Sequence, residues 1–177
     1  MTHEILISGF GGQGILFAGK LLAYAAMLEE KQVSWLPSYG PEMRGGTANC
    51  SVIISDEPVS CPLVTDPTIL IAMNAPSFEK FEQTVVKGGE IFVDSSLVNT
   101  PFNRTDTKNH ALPSTKLAED LQAVKLANMV LLGKVIKETN ILPFESVINA
   151  LQKTVPASKA AMLEINKKAL ETGYNAD

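Results

Sequence analysis

Charge is what this sequence has least of. Asp, Glu, Lys and Arg make up 19% of its 177 residues, where soluble domains usually carry about 25%. A domain so poor in charge is expected to hide part of its surface against another body. Cationic residues are the scarcer sign, 15 against 19, leaving a net charge of −4. That balance excludes an electrostatic nucleic-acid binder, which carries a basic patch or stripe. The two cysteines are too few for a disulfide framework, and for an iron–sulfur cluster, which takes about four thiolates. The most apolar run, Ile15 to Leu28, is broken by Gly19, Lys20 and Tyr24 and falls short of the roughly 20 residues of a membrane span. No basic segment precedes an apolar stretch at the start of the chain. A soluble, cytoplasmic protein with free thiols is expected, without a membrane or nucleic-acid partner.

A catalytic set is also missing. His3 and His110 are the only histidines, and neither has a Cys or acidic set at metal-ligand spacing. Ser95 and Ser96 follow a strand-like run but lie outside any G-x-S-x-G elbow. The sequence therefore predicts no catalytic residue and no metal ligand.

What is present is an alternation of strand and helix patterns. Glu4–Ser8, Gln32–Leu36, Thr47–Ser55 and Glu90–Asp94 read as strands, with one more near Lys108–Leu112, and Ile69–Met73 is a further apolar run bounded by Pro67 and Pro76. Helices are expected over Gly14–Leu28 and around Phe78, Phe81 and Val85. Another starts at an N-cap on Ser114 and carries Leu117, Leu121 and Val124. Three more cover Ala127–Glu138, the stretch after Pro143, and Ser158–Thr172. Gly14–Leu28 is apolar nearly all round and is expected to be buried on most faces. The order implies one α/β domain over 1–177: three layers, α/β/α, Rossmann-like, around a largely parallel sheet, with a helical last third. Thr47–Ser55 follows a loop rather than a helix, so it is the candidate for an antiparallel strand.

Two loops stand out. Gly9, Gly11 and Gly14 fit G-x-G-x-x-G between a strand and a helix, with Gly12 and Gln13 inside the turn. Glycines there let a ligand approach backbone N–H groups, and the helix N-terminus favours an anion. A dinucleotide fold also needs an acid after its second strand, and that strand here ends Trp35-Leu36-Pro37, with Glu29 and Glu30 before it. By themselves the residues allow either an anion site or a turn that only needs glycine. Gly14 to Lys20 imitates a P-loop, but Leu21 stands where Ser or Thr would bind magnesium. The second loop, Tyr39-Gly40-Pro41-Glu42-Met43-Arg44-Gly45-Gly46, fixes the backbone on both sides of Glu42 and Arg44. Arg44 there can present its fork to a carboxylate or phosphate. A solvated loop with one charge pair is the plainer reading. Both loops follow strands, so in a parallel sheet both emerge at the carboxyl edge, where ligands bind.

Ile7 to Gly14 (ISGFGGQG), Ser38 to Gly46 (SYGPEMRGG), Val52 to Ser55, and Asn128-Met129 followed by Leu132-Gly133 together resemble the gamma subunit of 2-oxoacid:ferredoxin oxidoreductases. The resemblance covers nearly the whole chain. In form the second loop looks most like gamma chains of the 2-oxoglutarate or branched-chain 2-oxoacid enzymes. The family decarboxylates a 2-oxoacid on thiamine diphosphate, passes the acyl group to coenzyme A, and sends electrons through iron–sulfur clusters to ferredoxin. The resemblance implies a complex using thiamine diphosphate, magnesium, iron–sulfur clusters and coenzyme A, none bound by this chain alone. It implies alpha and beta subunits as partners, a delta subunit being the optional member. As candidate ligand- or partner-binding residues it leaves Gly9, Gly11, Gly12, Gln13, Gly14, Tyr39, Gly40, Glu42, Arg44, Gly45 and Gly46. A self-sufficient Rossmann-type nucleotide-binding oxidoreductase and a purely structural interaction module are the alternatives.

Overall fold

The computed structural model describes residues 1–38 and 47–177. The strands are β1 (Thr2–Phe10), β2 (Gln32–Pro37), β3 (Thr47–Ser55), β4 (Ile69–Ala72), β5 (Glu90–Asp94) and β6 (Lys108–Leu112). The helices are α1 (Ile15–Leu28), α2 (Ala75–Phe81), α3 (Ser114–Asp120), α4 (Ala127–Thr139), α5 (Phe144–Thr154) and α6 (Ala160–Tyr174). One sheet holds the strands in the order β2-β3-β1-β4-β5-β6. β1, β4, β5 and β6 run parallel. β3 is antiparallel to both of its neighbours, β1 and β2, so β2 points the same way as β1. The expected antiparallel strand is thus Thr47–Ser55, and it is flanked on both sides.

Strand periodicity sorts the core onto two faces. Ile5 and Ile7 of β1, with Val52 and Ile54 of β3, pack beneath α1, α4 and α5. Leu6, Ile53, Leu70 and Ile91 point the other way, toward Phe78 of α2 and the loop residues Val64 and Val98. The three layers are unequal, because five of the six helices contribute side chains to the first face.

Helix boundaries depart from the sequence reading in ways that tertiary contacts explain. α2 stops at Phe81 and a 3-10 turn, Glu82–Thr84, follows. There the buried Glu82 carboxylate turns inward to accept Asn103 N–H at 2.6 Å and Arg104 N–H at 3.3 Å. Ser114 is the first residue of α3 rather than its cap. The cap is supplied from another strand: the Asp94 carboxylate accepts Thr115 N–H at 3.2 Å. α3 ends at Asp120, Gln122 adopts φ 56°, and Val124 is 51% exposed in a 3-10 turn instead of joining the core. His110 lies in β6, within the strand expected near Lys108–Leu112, and is stacked on Phe92 at 4.3 Å. α1 is buried on most faces, as its apolar sequence implies, and only Phe17, Lys20 and Met27 form an exposed strip.

α4 and α6 cross at backbone contact. A Cβ on Gly133 would lie 2.1 Å from Leu170 O, and one on Gly173 would lie 1.7 Å from Val130 O. Both glycines are therefore required by the crossing.

Candidate functional site

The chain leaves β1 through α1 toward β2 and β3, and leaves β4 through α2 toward β5 and β6. α1 and α2 lie on opposite faces of the sheet. The carboxyl ends of β1 and β4 therefore diverge, which makes a topological switch point, the place where open α/β sheets bind ligands.

Gly9 to Gly14 fills this point. Gln13 N–H donates to Phe10 O at 3.2 Å, closing a four-residue turn in which Gly12 has φ 93° and Gly14 has φ 73°. Positive φ suits glycine at both positions. Gly9 needs glycine for space, since a Cβ would meet Gln13 Oε1 and Ile15 Cδ1 at 2.7 Å. Gln13 ties the turn to the end of β4: its Oε1 accepts Phe10 N–H at 2.6 Å and Asn74 Nδ2 at 3.2 Å, and its Nε2 donates to Met73 O at 3.2 Å. Asn74 in turn caps α2 by accepting Ser77 N–H at 2.9 Å.

The other wall comes from α4. Asn128 Nδ2 donates to Gly14 O at 3.1 Å, and a Cβ on Gly14 would lie 2.3 Å from that nitrogen. Asn128 is 6% exposed, and its Oδ1 has no partner among the described residues. Between the walls lies a crevice of about 250 Å³, lined by Gly12, Gln13, Met73, Leu97, Thr115 and Lys125 among others. α1 begins just beyond the Gly12-Gln13 wall, and its N-terminus is uncapped by any side chain and has no acid in its first turn. That N-terminus and Lys125, which lines the crevice, give this edge a positive character. Such an edge suits an anion.

Among the candidate residues, Gly9, Gly11, Gly12, Gln13 and Gly14 come together at this edge. Tyr39, Gly40, Glu42, Arg44, Gly45 and Gly46 lie outside the described residues. The flanks of that loop do reach the same edge: Ser38 N–H donates to Asn49 O at 2.9 Å, and Thr47 pairs with Phe10. Asn74 and Lys125 stand at this edge without belonging to either glycine-rich motif. The Asn-Ala-Pro sequence after a strand is a helix-start signal that could have found the first. Nothing local marks Lys125.

The rest of the inventory bears on cofactors. Cys50 is sealed in the core, and burial pushes its thiol up to about 12; Cys61 is exposed. Such a pair does not fit an iron–sulfur cluster. Among the described residues no group of three or more His, Cys, Asp or Glu is placed to hold a metal ion.

The sequence pattern of the family described as "Pyruvate ferredoxin/flavodoxin oxidoreductase" matches residues 4–176. A 2-oxoglutarate synthase subunit, KorC, from Methanocaldococcus jannaschii is 38% identical over 98% of this chain and 93% of its own length. A ketoisovalerate oxidoreductase subunit, VorA, from Methanothermobacter thermautotrophicus is also 38% identical, over 96% of this chain but only 35% of its own length. The crystal structure of the gamma subunit of a keto/oxoacid ferredoxin oxidoreductase from Geobacter sulfurreducens superimposes with a TM-score of 0.84, at 33% identity, over 97% of this chain and 96% of that one.

Proposed function

The chain belongs to the pyruvate ferredoxin/flavodoxin oxidoreductase family, and on that premise we propose how it works within such an enzyme. It is the gamma subunit of a 2-oxoacid:ferredoxin oxidoreductase, which decarboxylates a 2-oxoacid oxidatively to the acyl-CoA and passes the electrons to ferredoxin. One observation carries this reading: the likeness runs end to end with a separate subunit, KorC, and with the gamma subunit of a keto/oxoacid ferredoxin oxidoreductase. The substrate class nearest in likeness is 2-oxoglutarate or a branched-chain 2-oxoacid.

The chain acts as a single domain, in contact with alpha and beta subunits, and has no turnover by itself. Thiamine diphosphate, magnesium and the clusters belong to those other subunits, where they supply decarboxylation and electron transfer. This chain's part is to shape the entrance for coenzyme A. The crevice at the switch point supports that role, because Lys125 in its lining and the uncapped α1 N-terminus just beyond its Gly12-Gln13 wall suit the diphosphate of a nucleotide-like thiol. Gln13 and Asn128 hold the two walls in register. Arg44, on the loop whose ends meet the same edge, is assigned to the same anion. The assembly is placed in the cytoplasm, where coenzyme A and ferredoxin are found. No helix among the described residues is long and apolar enough to cross a membrane.

The test measures coenzyme A affinity in the assembled enzyme carrying Lys125→Ala or Arg44→Ala. A lost charged contact at an exposed site corresponds to roughly three- to tenfold weaker binding. Unchanged affinity and unchanged assembly in both variants would remove the anion role from this edge.

A further inference from the structure

α1 carries more apolar surface than the core uses. One side of α1 from Lys20 to Met27, Lys31, Val33 and Trp35 of β2, and the end of α5 enclose an open groove of about 550 Å³. Val33 and Trp35 of β2 and Met27 of α1 supply apolar walls, and Met27 is 60% exposed. The Trp35 indole nitrogen is buried, beside Gly19 and Cys50 on the core side. The groove therefore meets the carbon part of the ring.

Charge gathers here against the sign of the whole molecule. Lys20, Lys31 and Lys153 line the groove and no carboxylate does, in a chain whose net charge is −4. Lys31 is partnered by Asp56. Among the described residues no carboxylate stands within ion-pair distance of Lys20 or Lys153. The groove also borders the outer edge of β2, the last strand of the sheet, whose far side pairs with nothing among the described residues. An open strand edge is a template for another strand.

From this juxtaposition of apolar groove, lysine rim and open strand edge, we propose that the face receives an extended acidic segment of a partner subunit. The segment adds to the edge of β2. Side chains at alternate positions fill the groove over Val33, Trp35 and Met27, and its carboxylates meet Lys20 and Lys153, the two lysines without an ion-pair partner among the described residues. Pairing β2 with β2 of a second copy is opposed by like charge, because it sets two lysine rims together, and β2 (QVSWLP) carries no acid to answer them. This proposal rests on the reading of the chain as a subunit, but it concerns a different surface from the coenzyme A crevice.

The test uses the complete chain and the subunits that assemble with it. The variants are K20E/K153E and, separately, Met27→Asp, all at exposed positions. Each isolated variant is expected to keep the wild-type melting temperature and to bind the partner subunits at least tenfold more weakly. Wild-type affinity is expected to fall as salt rises from about 0.05 to 0.5 M, and that of K20E/K153E to fall much less. A photo-crosslinker at position 27 is expected to capture a peptide rich in Asp and Glu from another subunit. A crosslink to a second copy of this chain, or to a segment without carboxylates, overturns the proposal. So does unchanged affinity in both variants, while the subunit assignment then stands. If the wild-type chain assembles with no thiamine-dependent subunit, the subunit assignment itself fails and the groove proposal falls with it.

Discussion

Gly14→Ala tests the architecture of the crevice through two separable effects. The first is backbone: Gly14 has φ 73° and ψ 22°, a left-handed conformation that costs an L-residue about 1–2 kcal/mol. The second is contact: the new methyl would lie 2.3 Å from Asn128 Nδ2. Asn128 must then move and surrender its bond to Gly14 O, worth about 1 kcal/mol, while its amide stays buried and unpaired at a further cost of about 1 kcal/mol or more. The single variant is expected to lose about 3–4 kcal/mol. Asn128→Ala, which removes the bond but leaves the backbone relaxed, loses about 1 kcal/mol. In the double variant the methyl finds room, so its loss is about 2–3 kcal/mol, below the sum of the singles. Urea unfolding of the four proteins, followed by far-UV circular dichroism, measures the cycle. A Gly14→Ala loss under about 0.5 kcal/mol, or strict additivity, refutes the account of why this turn holds glycine against Asn128.

Gly173→Ala puts a methyl 1.7 Å from Val130 O, so α4 and α6 must separate; the loss is expected at about 3 kcal/mol or more, read as a lower urea midpoint, and Ala at an exposed α6 site serves as control. Lys31 and the Met1 amino group hold the Asp56 carboxyl down at about 2. Its contribution to stability is therefore complete above its ordinary value of 3.8 and is lost as pH falls from there through about 2; Lys31→Met should move the carboxyl titration, followed by NMR, upward. Burial lowers the pKa of His3 below 6.5. Its contribution is then complete above pH 6.5 and lost as pH falls through the lowered folded value, so an NMR midpoint above 6.5 contradicts its half-buried setting. Iodoacetamide at neutral pH should label Cys61 in the native protein and Cys50 only after unfolding, since Cys50 is buried with a thiol near 12; rapid native labelling of Cys50 contradicts the packing beneath Trp35.

Long-period features were legible in the sequence because they repeat. Alternation over Ile5–Ile7 and Cys50–Ile54 fixes two sheet faces, and the absence of a helix before Thr47 marks β3 as antiparallel. The glycine turn was legible because strand, glycines and helix follow each other directly. What escaped the sequence depends on partners distant along the chain. Ser114 looks like a cap, yet Asp94, twenty residues earlier, does the capping. Val124 fits the helix period but falls past the break at Gln122. The apolar run of α1 implies burial on most faces, which holds, but nothing in it shows that Lys20 and Met27 on the exposed strip line a lysine-rimmed groove with β2 and α5. Lys125 reaches the crevice only because α4 brings its preceding turn against Gly14. The sparse charge of the chain has a matching feature in the exposed apolar walls of that groove.

The central claim is that the chain works only as part of a larger oxidoreductase. The most direct measurement is reduction of a low-potential dye by the thiamine-dependent and cluster-bearing subunits, with 2-oxoglutarate or a branched-chain 2-oxoacid and coenzyme A, with and without this chain. The account predicts that coenzyme A-dependent turnover requires the chain, and that the isolated chain neither turns over nor binds NAD, NADP or FAD at micromolar concentration. Full activity of the other subunits without it, or micromolar dinucleotide binding by the chain alone, would contradict the account.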